Sequence, residues 1–453
     1  MNRHSKKITR RLSLLVMITI LYSCTQPSTN DHKKNDAKPF NVNDAAILRS
    51  NQKRLTDLII YDIFTPPVAA RIYTYTSLAA YEAVRFSKPG YPSLTAQLKG
   101  FSPMPQPEKG KHYNYILAAT KAFFSVAYKV TFSTDTLRNF ETAVLENFRN
   151  QLDGETFNNS VSFGDSIGNK ILARAAFDNY PQTRGKPRYV GSHEPGKWRP
   201  TPPDYLDAVE SCWGTMKCFI LDTSTQFMAP RPPAYSMDKK SLFYKNTIEV
   251  YNISKNITQE QKDIANYWDD NPFVIEHSGH MMFGNKKITP GGHWMGIASI
   301  ACKKTNADEV KTAQTFALTA IALMEGFIAC WDEKYRTQVV RPVTVINESI
   351  DAKWEPFLQT PPFPEYTSGH SAISAAAAAV LTKLFGDHFS FHDDSDKEYI
   401  GMEKDFNSFF EAANEVSISR VYGGIHYRSG VEAGAVQGRN VGNFLVGKIR
   451  LKD

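Results

Sequence analysis

The sequence predicts an all-α fold, a large helical bundle. Apolar residues recur with the 3.6-residue period of a helix over most of the chain beyond Val42, whereas strand signals are few and short. Helix start signals open the first two segments: Asn and Asp in "NDAAILRSNQKRLTDLIIYDIF", and proline in "PPVAARIYTYTSLAAYEAVRF". Further periodic segments lie at about 111–128, 134–152, 156–177, 238–252, 258–269, 307–334, 371–385, 396–416 and 431–448.

A long irregular section divides these helices. Residues 180–236 are dense in proline, glycine and aromatic residues, and a loop of this length is usually functional or covers another part of the protein. A chain of 453 residues, 42% hydrophobic, is long enough for one large or two medium domains. We therefore expect an N-terminal helical half, residues 42–300, that contains the loop. A C-terminal helical half, residues 301–453, carries the candidate chemistry.

The N-terminus has the pattern of an export signal. Five cations precede an apolar run from Leu12 to Leu21, which is too short to span a membrane. The run ends in "LYSC", which resembles the lipobox of bacterial lipoproteins. This resemblance implies a signal peptide over residues 1–23, lipidation of Cys24 and a flexible tether over residues 24–41. The expected product is an exported lipoprotein, periplasmic or at the cell surface, that meets the membrane only through its lipid anchor. A signal peptide without lipidation is the alternative.

The charge balance argues against a nucleic-acid partner. The formal net charge is +7, but removing residues 1–23 lowers Lys+Arg from 53 to 48 against 46 Asp+Glu. A nearly neutral mature chain has no broad basic surface for a polyanion. Among the remaining cysteines, Cys212 and Cys218 could form a disulfide across a short loop. Cys302 and Cys330 lie in apolar helical stretches, so we expect them to be buried.

Three short motifs in the second half bring together the side chains that an oxyanion needs. They are Lys334 with Arg341, then "SGH" at 368–370, then Arg420 with His426. Taken singly, each has an ordinary explanation: solvated cations at a helix end, a helix N-cap, or a packed loop histidine. Together they supply forked and point-charge cations, a hydroxyl, a helix N-terminus and two imidazoles. This set suits a tetrahedral oxyanion.

The order and spacing of these motifs, K-x6-R-P, SGH and S-R-x5-H, resemble a known superfamily. It unites type 2 phosphatidic acid phosphatases, bacterial acid phosphatases and vanadium-dependent haloperoxidases, and its fold is an all-α bundle. The resemblance implies that His426 is the vanadium ligand or the phosphorylated nucleophile, and that His370 is the acid/base. It also implies a set of vanadate- or phosphate-binding groups: Lys334, Arg341, Ser368, the Gly369 N–H and Arg420.

Two features of the sequence favour the peroxidase branch of this superfamily: one departure from its usual pattern and one pair of aromatic residues. The family's usual acid four residues after the histidine is replaced by Gly430, and a nucleophilic histidine depends on such a carboxylate more than a metal ligand does. Trp331 and Phe363 resemble the aromatic pair near vanadate in fungal-type chloroperoxidases, although both could simply be core residues.

The favoured interpretation is a vanadium-dependent haloperoxidase with orthovanadate as cofactor. It would use hydrogen peroxide to oxidise halide, with bromide or iodide easier than chloride. The alternatives are a soluble acid phosphatase acting through a phosphohistidine, and a non-catalytic oxyanion-binding lipoprotein. Three further histidines, His277, His280 and His293, could line the pocket entrance or be solvated or packed loop residues. Oligomeric state is not predicted.

Overall fold

The structure, a computed structural model, describes residues 40–272, 275–278, 281–284 and 286–452. The predicted signal peptide, Cys24 and nearly all of the tether lie outside these residues. From Phe40 onward the chain forms one unit, and the division at residue 300 stays a prediction. The helices are α1 Ala46–Tyr61, α2 Pro66–Val84, α3 Tyr115–Val130, α4 Thr134–Arg149, α5 Gly154–Ala175, α6 Tyr180–Arg184, α7 Leu242–Lys255, α8 Gln259–Tyr267, α9 Pro290–Lys304, α10 Glu309–Thr337, α11 Pro342–Ser349, α12 Gly369–Phe385, α13 Lys397–Ile400, α14 Phe409–Tyr422 and α15 Arg428–Lys448.

Strands are confined to two short antiparallel ribbons in the described part of the chain. Strand β1 (Ile275–Ser278) pairs with β2 (Met281–Gly284), and β3 (Phe391–Asp393) pairs with β4 (Lys404–Phe406). Everything else that is regular is helical, which confirms the all-α prediction.

Helix α10 is the central element of the bundle and packs against α2, α9 and α12. By length and composition it could cross a membrane, but its apolar window is wholly buried inside the protein, as expected for a core helix. The helix ends at Gln338, whose φ of +57° turns the chain, and Arg341 then caps α11 at Pro342. This turn brings Arg341 back beside Lys334 near the end of α10.

Helices α12 and α15 lie unusually close together because glycine faces alanine between them. Glycines recur every fourth residue along one face of α15, from Gly430 to Gly442. A Cβ at Gly434 would lie 2.7 Å from the carbonyl oxygen of Ser368, and a Cβ at Gly438 would overlap the backbone of Ala372. The Ala-rich run of α12 and the glycine face of α15 therefore form one contact. It holds the N-terminus of α12 against the first turn of α15.

The predicted long loop covers the C-terminal part of α10. Between α6 and α7 its only helical piece is a short turn at Trp213–Thr215. The buried carboxylate of Glu325 on α10 accepts hydrogen bonds from the backbone N–H groups of Phe219 and Leu221, at 2.6 and 2.9 Å. The carbonyl of Val209 accepts from Trp331 Nε1 at 3.2 Å. The loop is thus fastened to the helix that carries Lys334.

Three sequence predictions differ from the structure. Helix α9 was not predicted, because Gly291, Gly292 and Gly296 weaken its helical pattern. Helix α11, which begins at the proline expected to end a helix, was also missed. The segment 396–416 is not one helix, since Gly401, with a φ of +74°, ends the short α13 and β4 intervenes before α14.

The cysteine predictions have two outcomes. Cys302 and Cys330 are buried, as expected, but Cys212 and Cys218 are free thiols in the structure, so the possible disulfide between them is not formed. The turn at Trp213–Thr215 separates them, and Cys218 packs against the hydrophobic core.

We predict that Gly438→Ala destabilises the protein by about 2 kcal/mol or more, because the added methyl group has no room against Ala372. Gly447→Ala on the same helix is the matched control. Its methyl group meets open space, so the ordinary helix preference for alanine should make it neutral or stabilising by up to about 1 kcal/mol. Urea unfolding of both variants measures the difference. Equal effects would contradict the close α12–α15 contact.

Candidate active site

The predicted site residues meet where five helix ends converge. Lys334 comes from the last turn of α10 and Arg341 caps α11. Ser368, Gly369 and His370 open α12, Arg420 lies in the last turn of α14, and His426 stands just before α15. The side chains of Lys334, Arg341, Arg420 and His426 are buried. Because each helix contributes one end, the bundle brings together groups that are about ninety residues apart in the chain.

Lys334 holds the segment that leads into α12. Its Nζ donates to the carbonyl oxygens of Pro364, Glu365 and Thr367 at 2.9, 3.1 and 2.5 Å. Its pKa is lowered to about 7, mainly by burial and also by the charge of Arg341. An ammonium group has three N–H donors, and here all three have partners. In this arrangement Lys334 acts on an anion through its charge, and direct donation to an oxyanion stays a prediction.

Each of the two buried arginines has a terminal nitrogen to spare. Arg341 donates through Nε to Phe363 O at 2.9 Å and through Nη1 to Ile425 O at 2.7 Å. Arg420 donates through Nη2 to Trp268 O at 2.5 Å. Arg341 Nη2 and Arg420 Nη1 are buried without a partner. Unpaired buried donors on a charged group are costly, so the two arginines fit a bound oxyanion that would satisfy them.

His426 is held as the tautomer that leaves Nε2 free of a proton. Arg341 Nη1 lies 3.1 Å from His426 Nε2, and a guanidinium only donates, so Nε2 accepts. The proton is therefore on Nδ1, which donates to Glu365 Oε1 at 2.7 Å. Burial, with Arg341 and Lys334 nearby, holds the pKa of His426 well below its usual range. A neutral imidazole with a lone pair on Nε2 is the form required of a metal ligand or a nucleophile.

Glu365 is the site residue that the sequence analysis missed. Its buried Oε1 also accepts the backbone N–H of Tyr427 at 3.1 Å. Its pKa is raised to about 7 because burial outweighs the lowering effect of Arg341 and Lys334. One signal was available: a charged residue in the otherwise proline- and aromatic-rich run "PPFPEY". His426 does have a carboxylate partner, so the argument that Gly430 disfavours a nucleophilic histidine was wrong.

The N-terminus of α12 adds a histidine and polar backbone. Ser368 is the N-cap, and its Oγ accepts the N–H of Ser371 at 3.3 Å. His370 follows in the first turn, and its Nε2 is buried without a partner. Burial, then Arg420, Lys334 and Arg341, hold the pKa of His370 well below its usual range. A neutral His370 beside cations is poised to take up a proton once an anion is bound.

Trp331 and Phe363 form one wall of this cluster of cations. Their ring centroids are 5.0 Å apart, and both rings belong to the hydrophobic core. Lys334 Nζ and Arg341 Cζ lie 5.0 and 5.1 Å from the Phe363 centroid. The pair is therefore core and also contacts the cations of the site, while its placement beside bound vanadate stays a prediction. Gly369 is needed here, since a Cβ would come within 3.1 Å of the Trp331 ring.

His293 is a packed residue behind the site. Its Nδ1 lies 3.2 Å from Asp270 and 3.3 Å from Asp396, and its Nε2 lies 3.0 Å from Asp393. Although burial opposes it, these carboxylates raise the pKa of His293 well above its usual range. The imidazolium stacks on Trp268, whose carbonyl accepts from Arg420. The side chains of His277 and His280 lie outside the described residues.

Known proteins that resemble this chain include vanadium-dependent peroxidases. Residues 314–451 match the family described as the VCPO second helical-bundle domain. A bacterial vanadium-dependent iodoperoxidase structure is 43% identical, with a TM-score of 0.86, covering 92% of this chain and 99% of that chain.

Two bacterial vanadium-dependent chloroperoxidase structures, holo and apo, share the fold at 19% and 17% identity and TM-scores of 0.69 and 0.66. They cover 90% and 85% of this chain, and 98% and 94% of their own. No curated protein matches the chain.

We predict that adding orthovanadate to vanadate-free protein raises its stability. Binding should satisfy the spare donors of Arg341 and Arg420, and a free concentration of about 100 times Kd stabilises the folded state by about 2.7 kcal/mol. Differential scanning fluorimetry measures the rise in melting temperature. Arg420→Ala should abolish the rise, whereas Arg439→Ala, which removes an exposed cation from α15, should keep it. An equal rise in both variants would place the anion elsewhere.

We predict that His370 makes the unliganded protein less stable in acid. Because its pKa in the folded state is depressed, the unfolded chain binds a proton below about pH 6.5 that the folded chain does not. The free energy of unfolding should therefore fall more steeply with acidification in wild type than in His370→Gln. The difference reaches about 1.4 kcal/mol per pH unit. Urea unfolding at pH 7.0 and 5.5 measures it, and parallel slopes would contradict a neutral His370 in the folded protein.

Proposed function

The chain belongs to the family of vanadium-dependent haloperoxidases, and from this premise we propose that it oxidises iodide and bromide in preference to chloride. It is an enzyme that uses vanadate as cofactor and hydrogen peroxide and halide as substrates. Two things support the halide order. The 43%-identical structure is that of an iodoperoxidase. In addition, iodide and bromide give up electrons more readily than chloride does.

The observation that carries this function is the environment of His426. Its Nε2 is unprotonated and faces the cations, while Nδ1 is held by Glu365. His426 Nε2 would hold the vanadium in place of the hydrogen bond that it accepts from Arg341 Nη1, and the unpaired donors Arg341 Nη2 and Arg420 Nη1 would hold oxygens. Vanadate, when bound, supplies a Lewis acid that activates peroxide.

The other groups of the site have supporting roles in this proposal. The Ser368 hydroxyl and the Gly369 N–H would add donors at the positive end of α12. The charge of Lys334 would offset the charge of the anion. His370 Nε2, neutral and without a partner, would accept a proton from peroxide and return it to the departing oxygen.

We predict halogenation of a dye that requires vanadate, peroxide and halide together. Purified mature protein should halogenate with iodide and bromide faster than with chloride, and should be inactive without orthovanadate. His370→Ala should lower the rate by about 10²- to 10⁴-fold, the usual contribution of a general acid/base. A spectrophotometric dye assay measures all three conditions. Halogenation that is independent of vanadate would contradict the assignment, and a chloride rate above the bromide rate would contradict the halide order.

A second candidate function, hydrolysis of phosphomonoesters, has one observation in its favour. The Glu365–His426 hydrogen bond supplies the carboxylate that a nucleophilic histidine needs. Phosphate and vanadate are both tetrahedral oxyanions, so the same donors suit either. A p-nitrophenyl phosphate assay on vanadate-free protein tests this activity. Hydrolysis without any vanadate-dependent halogenation would replace the haloperoxidase proposal.

We also propose that the chain is an exported lipoprotein anchored through Cys24. The support is the sequence alone: five cations, a short apolar run and the lipobox-like "LYSC". Expression of the full chain in a bacterial host with a radiolabelled fatty acid tests it. Label in wild type but not in Cys24→Ser supports the anchor, and label-free protein in both would overturn it.

A further inference from the structure

We propose that Glu365 and Gly430 are a matched pair: the carboxylate that orients His426 comes from the segment before α12, and position 430 is glycine to leave room for it. Glu365 is then a positioning residue for vanadate binding by His426. The inference rests on the proposed function, because vanadate is the ligand whose binding it concerns.

The first support is a competition for space. Gly430 lies in the first turn of α15, four residues after His426, where the family usually carries its acid. A Cβ added there would overlap the Glu365 carboxylate, lying 2.8 Å from its Cδ and 2.9 Å from its Oε2. Real Cβ atoms essentially never come this close to other heavy atoms. An acid at 430 and the present placement of Glu365 therefore exclude each other.

The second support is that Glu365 cannot easily move aside. Its backbone N–H donates to Val339 O at 2.9 Å, and its carbonyl accepts from Lys334 Nζ at 3.1 Å. The carboxylate is fastened by His426 Nδ1 and by the Tyr427 N–H. Main chain and side chain are thus held at both ends, so the carboxylate has a fixed direction toward the imidazole.

The third support is that Gly430 also has a backbone role. Its carbonyl accepts the N–H of Ser368 at 3.0 Å, which joins the first turn of α15 to the cap of α12. This hydrogen bond fixes the backbone of residue 430, so a side chain added there would meet the Glu365 carboxylate and could not avoid it by a shift of its own backbone. The missing side chain at Gly430 therefore makes room for the carboxylate–imidazole hydrogen bond, while its carbonyl joins α15 to the cap of α12.

The consequence for the ligand follows from the role of outer partners in metal sites. A carboxylate on the far nitrogen of a ligating histidine fixes its tautomer and raises its basicity, and loss of such a partner typically weakens metal binding by about 10- to 100-fold. Glu365 provides this hydrogen bond to His426 from a position 61 residues earlier in the chain. In the usual family pattern, an acid at position 430 would orient the imidazole from four residues after the histidine.

Equilibrium dialysis of the purified protein against orthovanadate, with metal analysis, tests the pair. Glu365→Ala should weaken vanadate binding by about 10- to 100-fold. Glu365→Gln keeps an acceptor for Nδ1–H but loses the charge, so it should lie between Glu365→Ala and wild type. Gly430→Asp alone should weaken binding through the clash. The double variant Glu365→Ala/Gly430→Asp should recover affinity to within several-fold of wild type.

Glu325→Gln is the matched control for removing a buried carboxylate. Glu325 lies in the same helix as Lys334 but binds loop backbone, so this variant should lose stability and keep its vanadate affinity. Circular dichroism checks that each variant is folded.

Two results would contradict the proposed pairing of Glu365 with Gly430 and leave the proposed function unaffected. One is wild-type affinity in Glu365→Ala. The other is a folded double variant that binds as weakly as Glu365→Ala. If wild type itself failed to bind vanadate, both proposals would fall together.

Discussion

The burial of three cations around a neutral histidine is the constraint on which the rest of this structure depends. Lys334, Arg341 and Arg420 are fully buried, and a buried charge must be compensated or it destabilises the fold. Backbone carbonyls of the segment before α12 and at the end of α8 accept hydrogen bonds from these cations, and the carboxylate of Glu365 lies among them. The compensation is incomplete, since two guanidinium nitrogens have no partner. These unpaired donors destabilise the unliganded fold, and a bound oxyanion would satisfy them.

Close helix packing turns that cluster of cations into a defined geometry. The glycine face of α15 lets α12 approach until backbone nearly touches backbone, which places Ser368, Gly369 and His370 beside His426. The long loop, fastened to Glu325, covers the C-terminal part of α10, the helix that carries Lys334. Burial first, and then the nearby cations, hold the pKa of each of the two histidines well below its usual range, and these charges act more strongly away from water. Packing and electrostatics thus determine the protonation state of the two residues that the chemistry uses.

The sequence predicted the bundle and the cations of the site well, for physical reasons. Long 3.6-residue periods identify helices, and the residues from Lys334 to His426 occur in short ordered motifs at helix ends. Glu365 was missed because it belongs to none of the three motifs, and only the folded structure shows that its carboxylate is the partner of His426. Gly430 was interpreted as a missing acid, whereas it is the space that another acid fills. Helix α9 was missed for a similar reason: its glycines look like a loop in sequence but pack closely in the structure.

The tautomer of His426 in the vanadate-free protein tests this account most directly. Nitrogen-15 NMR of histidine-labelled protein at pH 7 distinguishes the two neutral tautomers and the imidazolium, and the His426 signal is the one absent from His426→Gln. We predict a neutral ring with its proton on Nδ1 and none on Nε2, because Arg341 donates to Nε2 and Glu365 accepts from Nδ1. A proton on Nε2, or a charged ring, would contradict it.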